Sequence, residues 1–168
     1  MLVNVRQLQA GTLSGKEALE ISYSLDLSAV LLWGRSPFNG PVQIRGTLQN
    51  RAEILTLTYT ADYAMTAPCA RCLEEVTQER SYFAEHTVVE SVQDETDEDA
   101  YALAPDGMLD VDALVAADLS LSLEGVTLCG ENCKGLCPRC GKNRNHGSCA
   151  CPQKDPDPRF DALRKKMV

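Results

Sequence analysis

The residues in this chain whose types and spacing could do chemistry are its cysteines. All eight fall in close pairs: Cys69 with Cys72, Cys129 with Cys133, Cys137 with Cys140, and Cys149 with Cys151. A thiolate is a soft ligand, and four of them satisfy a tetrahedral zinc ion at about 2.3 Å each. Two cysteines two residues apart offer both sulfurs from one tight turn, and two such turns complete a site. Four pairs therefore imply up to two four-thiolate sites, holding one or two structural zinc ions. The sharpest signal is Gly135-Leu-Cys-Pro-Arg-Cys-Gly141. Pro138 stiffens the turn between the ligands. Gly141 lets the backbone fold back, so that amide N–H groups can face the sulfurs and offset their charge.

The pairs can be grouped in two ways. Cys137, Cys140, Cys149 and Cys151 are close in sequence and can close a site alone. Cys69, Cys72, Cys129 and Cys133 then form the other site. This local grouping is preferred because it needs less loop closure for one site. The alternative sets the first knuckle against Cys137 and Cys140, as in an ordinary zinc ribbon. His146 could replace Cys149 or Cys151, since a single residue between two ligands makes a cramped bite; its plainer reading is an exposed side chain. His86 sits in a strand-like run and reads as a satisfied polar residue rather than a ligand.

Catalytic and redox roles fit less well. A catalytic zinc keeps one position open and needs a general base nearby. No H-E-x-x-H or H-x-E…C-x-x-C pattern occurs, and two histidines without a nucleophile motif leave little for a triad. Cys69-Ala-Arg-Cys72 does not open a helix after a strand in a βαβ setting, as a redox dithiol would. The expectation is a protein that is not an enzyme and has no small-molecule substrate.

Composition narrows the class further. A disulfide framework belongs to small secreted chains. Residues 1–20 contain no apolar run flanked by positive charge, and the longest apolar stretch, 29–33, is far too short to span a bilayer. A cytoplasmic protein with no membrane contact is expected. The 24 acidic residues outnumber the 16 basic ones, for a net charge of -8. That excludes a protein that coats nucleic acid through bulk electrostatics. A local contact stays open. Lys134, Arg139, Lys142 and Arg144 share the cysteine-rich segment, and Arg159, Arg164, Lys165 and Lys166 follow it. Together they could present a basic face to phosphates, or be ordinary surface charge.

The elements that must position these residues follow from periodicity. Residues 19–28, 42–48 and 55–65 alternate apolar and polar side chains, the mark of half-buried strands. Leu55, Leu57, Tyr59, Ala61, Tyr63 and Met65 give the strongest run. Residues 34–41 read as a loop, and 76–92 as one or two further strands. The first 92 residues thus predict an antiparallel β-meander, a sheet or partial barrel with one solvated face. Residues 93–112 carry eight acids and no base. They read as a solvated loop over 93–107, or else as a mimic of nucleic-acid charge or a contact for a basic partner. Asp110 caps a helix predicted over 111–122, with Val111, Leu114, Val115 and Leu119 on one face. The alternation of Leu119, Leu121 and Leu123 would also allow an extended end. Residues 125–156 lack periodicity and need cross-links to fold. Asp157 and Pro158 start a short C-terminal helix with Phe160, Leu163 and Met167 on one face. The expected class is α+β: the meander with one packed helix over 1–124, and a zinc-knuckle segment with the terminal helix over 125–168.

Several of these segments resemble one family. Cys69-Ala-Arg-Cys-Leu-Glu-Glu-Val76 is similar to the C-x-R-C-L-E-x-V signature of the bacterial YceD family. Leu109-Asp-Val-Asp-Ala-Leu-Val115 resembles its segment before the second cluster. Residues 133–143, Cys149-Ala-Cys151 and residues 157–163 resemble its C-terminal end. Arg144 departs from the usual pattern, where Leu stands. The resemblance implies a role in accumulation of the large-subunit (23S) ribosomal RNA, through its synthesis, processing or stability, and no known enzymatic activity. It implies ribosomal RNA or a pre-ribosomal particle as partner, touched directly or through a protein. A zinc-stabilised adaptor that binds only proteins is the other reading, and the acidic segment would suit a basic partner.

Overall fold

The computed structural model describes residues 1–9, 18–31, 34–92, 100–123 and 125–152. In chain order the elements are β1 (Leu2–Asn4), α1 (Arg6–Gln9), β2 (Ala18–Leu25), β3 (Val42–Arg51), β4 (Ile54–Pro68), β5 (Glu75–Val89) and β6 (Ala102–Leu103). A 3-10 turn (Pro105–Gly107), β7 (Met108–Asp110) and α2 (Val111–Ser122) follow. The main sheet runs β2-β3-β4-β5-β6 and is open, with β2 and β6 at its edges. Its first four strands form the antiparallel meander, and β6 joins β5 in parallel. β1 and β7 make a separate antiparallel ribbon. The molecule is thus α+β, with one main helix against a β-meander.

Strand alternation decides which face is core. All six apolar residues of the β4 run, from Leu55 to Met65, are buried, as are Val42, Ile44 and Leu48 of β3. Gly46 takes the inward place between Ile44 and Leu48. A Cβ there would stand 2.4 Å from the Thr58 carbonyl oxygen and 2.7 Å from the Tyr59 Cβ. The glycine is what leaves room for the β4 backbone and the Tyr59 Cβ at this point of the pairing. β5 is one long strand of 15 residues rather than two short ones. Its alternation is weak because much of it stays part-exposed.

α2 closes the core. The Asp110 carboxylate accepts from the amides of Asp112 (3.1 Å) and Ala113 (3.2 Å), a side-chain cap that fixes where the helix starts. Val111, Val115 and Leu119 are buried, and burying each such side chain contributes about 1.5–3 kcal/mol at most. The helix holds its form to Ser122: the Leu123 amide donates to the Leu119 carbonyl (3.1 Å), and Leu121 is 87% exposed. The extended alternative for this end is therefore set aside. Asp118 pins α2 to the sheet. Its carboxylate accepts from the Tyr59 hydroxyl and pairs with His86 Nε2 at 2.6 Å. Burial first, then that bond, raises the Tyr59 phenol above its ordinary range.

Three expectations need correction. β2 stops at Leu25, not 28, because the Asp26 side chain accepts from the Ser28 amide (2.9 Å) and turns the chain. The acidic stretch is not a loop through 107. Residues 93–99 lie outside the described residues, but Ala102 and Leu103 form β6, and Ala102, Ala104 and Leu109 are buried. The run 100–104 carries no acid, and its alternate alanines, Ala102 and Ala104, are taken up by the core. Finally, 34–41 is not free loop throughout, since Phe38 bridges Met65 and is itself buried. The C-terminal helix expected over 157–168, with Arg159, Arg164, Lys165 and Lys166, lies outside the described residues.

Candidate functional site

The β4–β5 connection is the first knuckle. β4 ends at Pro68 and β5 begins at Glu75, so Cys69 and Cys72 sit at the tip of the longest hairpin. The Cys69 amide donates to the Glu74 carbonyl (2.8 Å), and the Leu73 amide donates back to the Cys69 carbonyl (2.9 Å). Leu73 takes a left-handed conformation (φ 63°) to do so. The second knuckle repeats this plan without a sheet beneath it. The Cys137 amide donates to the Lys142 carbonyl and the Gly141 amide to the Cys137 carbonyl, both at 2.9 Å. Here glycine holds the left-handed position, with φ 72°.

Backbone bonds bring the C-terminal segment onto the hairpin tip. The Ala70 amide donates to the Thr127 carbonyl (2.8 Å), and the Leu136 amide to the Arg71 carbonyl (3.0 Å). The Arg71 guanidinium donates to the carbonyls of Glu131 (3.1 Å) and Cys133 (3.2 Å). Gly135 fits because it is left-handed and its open side faces the Arg71 carbonyl.

The result is two clusters of four sulfurs. Cys69, Cys72, Cys129 and Cys133 lie together, and so do Cys137, Cys140, Cys149 and Cys151; within each, all Sγ atoms fall within 4.8 Å of one another. This is the local grouping; the crossed one, with Cys69 and Cys72 facing Cys137 and Cys140, does not form. All eight are free thiols. In the first cluster Cys69 and Cys133 sulfurs stand 3.8 Å apart, and Cys72 and Cys129 sulfurs 3.6 Å. A tetrahedron of thiolates about 2.3 Å from a metal spaces its sulfurs about 3.8 Å apart. The donor sets thus fit a soft metal ion, and each cluster could hold one. His146 joins neither. It is exposed, and its Nε2 pairs with Glu74 of the first knuckle.

Electrostatics prepare each cluster unequally. Burial alone would push the Cys69 thiol up, but amide N–H groups of Cys129, Cys72 and Arg71 bring it down to about 6. Amides of Cys140 and Arg139 lower Cys137 to about 6 against its burial. Cys129, beside Cys133 and Cys72, is pushed up to about 12, and Cys151, beside Cys140, likewise to about 12. Neighbouring thiols cannot all ionise in so small a volume; a bound dication removes that repulsion.

Several participants carry no signal of their own in the sequence. The Asn145 side-chain amide donates to the Cys133 sulfur (3.3 Å), while its oxygen accepts from the Lys134 amide (2.8 Å). That bond is the first cause lowering the Cys133 thiol. Asn145 lies between ligands of the second cluster in sequence yet serves the first. Its only hint is an Asn-rich turn. Of the candidate basic residues, the described ones, Lys134, Arg139, Lys142 and Arg144, are exposed. Arg139 and Arg144 line an open groove with Pro138, Ser148 and Pro152 beside the second cluster. Lys142 Nζ is already committed to the Ser148 carbonyl (3.1 Å).

Among the described residues no helix is long and apolar enough to cross a membrane. No curated protein and no solved structure matches the chain. One family model does, over residues 57–165, a span that contains both knuckles, both clusters and α2. On that match, over well more than half its length, the chain belongs to the YceD family, described as large ribosomal RNA subunit accumulation protein.

Proposed function

We propose that this protein is a non-enzymatic cytoplasmic factor that supports accumulation of 23S ribosomal RNA during large-subunit biogenesis, built around two structural zinc ions. The observation that carries the reading is the family match, which spans every cysteine of both clusters. Zinc is the soft dication that four thiolates in a closed tetrahedron favour. Its role here is to fold a segment that has no apolar core of its own. Contact with ribosomal RNA or a pre-ribosomal particle falls to Arg139 and Arg144, with Lys134 and Lys142 beside them and Arg164, Lys165 and Lys166 further along the chain.

A second reading, a zinc-stabilised adaptor that touches only protein, is favoured by the net charge of -8. One experiment separates them. The tagged protein is purified from growing cells without chelator, its metal is quantified, and crosslinked RNA is sequenced. The expected result is about two zinc per chain and crosslinks in large-subunit RNA at the basic segment. Metal-free protein with every thiol reactive would sink the zinc assignment. Crosslinks to protein alone would favour the adaptor.

A further inference from the structure

The two knuckles share a plan and differ at one place. In each, the amide of the first cysteine reaches the carbonyl five residues on, and the amide four residues on reaches back. That fourth residue is left-handed in both: Gly141 in one, Leu73 in the other. Glycine adopts this conformation freely, whereas leucine's Cβ crowds the backbone. Leu73 is also 65% exposed. Neither backbone preference nor burial favours a leucine side chain there.

A groove of about 520 Å³ opens beside it, walled by Pro37, Met65, Ala67, Pro68 and Ala70, with Arg35 and Glu75 among its lining residues. Val126, 60% exposed, stands between the lining residues Gly125 and Thr127 and extends the apolar surface.

We propose that Leu73 anchors a protein-docking surface, in which a basic segment of a partner protein lays an apolar side chain into this groove and sets a cation against Glu75. Charge selects this occupant. Away from its basic segment, a chain at -8 on average repels RNA and a second copy of itself, but attracts a basic segment. Glu74 and Glu75 follow Leu73 directly, Glu74 pairing with His146, and the nearby exposed Arg71 guanidinium donates to the carbonyls of Glu131 and Cys133. The surface shares no lining residue with the Arg139–Arg144 groove, so it goes beyond the RNA contact.

The test is a display selection of short random peptides on the full, zinc-loaded chain, compared with Leu73→Gly and Leu73→Asn, both tolerant of the left-handed turn. The selected peptides should combine large apolar residues with Lys or Arg. They should bind the wild-type chain about ten-fold more tightly than either variant, and added salt should weaken them. Both variants should keep full metal content and an unchanged or higher melting midpoint. Loss of metal or of midpoint in both would make Leu73 a structural residue and overturn the proposal. So would an empty selection, or peptides that bind wild type and variants alike. A wild-type dimer that Leu73→Gly dissolves would give the surface to a second copy. Loss of binding to a single-stranded RNA oligonucleotide on Leu73→Gly would give it to nucleic acid.

Discussion

The sulfur of Cys133 shows how much of a candidate metal site lies beyond the cysteines that would ligate the ion. Asn145 donates to it and, through its other side-chain atom, holds the Lys134 amide in place. Such outer partners orient a ligand and shield its charge, and removing one typically lowers metal affinity by roughly 10- to 100-fold. Asn145→Ala is therefore expected to weaken the zinc binding proposed for the first cluster by about ten-fold, read by chelator competition, while the second cluster is unmoved. Equal weakening at both would mean the substitution acts by unfolding the segment. The cysteines themselves were legible because thiolate chemistry demands close pairs. Asn145 was not, because its bond depends on a loop returning across an interval that no periodicity encodes. The left-handed Leu73 was half legible: placing Cys69-x-x-Cys-Leu beside Cys137-x-x-Cys-Gly shows leucine where the turn wants glycine, at a strain of about 1–2 kcal/mol.

At the level of elements, long alternating runs carried their own assignment. β4 was readable from Leu55 to Met65 because one face is wholly buried and the other, half-buried face is mostly polar. α2 was readable from the Asp110 cap and a spacing that places Val111, Val115 and Leu119 together. β1, β6 and β7 were not, since two or three residues are too few to show a period; only their pairing makes them strands. Two consequences follow for α2 and for the cysteine-rich segment. Asp118→Ala leaves His86 and the Tyr59 hydroxyl without their partner at the helix–sheet contact, and should cost about 1–3 kcal/mol. Chemical denaturation followed by circular dichroism measures it; no change would show that water replaces the carboxylate freely. Cys137→Ser with Cys140→Ser removes half of the second cluster, whose segment has no core of its own. The expected outcome is early proteolytic cleavage within 134–152, with the β-sheet signal retained, because the sheet buries its own apolar face. Global unfolding would instead show that the sheet depends on this segment.

For the whole molecule, the decisive quantity is how charge is distributed. Loop closure gave only a preference between two cysteine groupings, and counting gave the charge of -8, but the juxtaposition of Arg139 and Arg144 across one groove was not legible, since it depends on how the second knuckle folds. On average the surface repels RNA, so any contact must be local and held in fixed geometry. The knuckle supplies that geometry: a rigid turn loses less entropy on binding than a free segment with the same charges. Arg139→Glu with Arg144→Glu should then weaken binding of a large-subunit RNA fragment. It should also flatten the log–log salt dependence by about 0.7 for each single-strand phosphate that the protein no longer neutralises. Chelation of the loaded protein should weaken binding too, although it leaves every cation in place, because the groove loses its frame. Filter binding over a range of salt concentrations reads both effects. If charge reversal and chelation leave association with pre-ribosomal particles unchanged, while Leu73→Gly abolishes it, the particle is reached through a basic protein and not through its RNA.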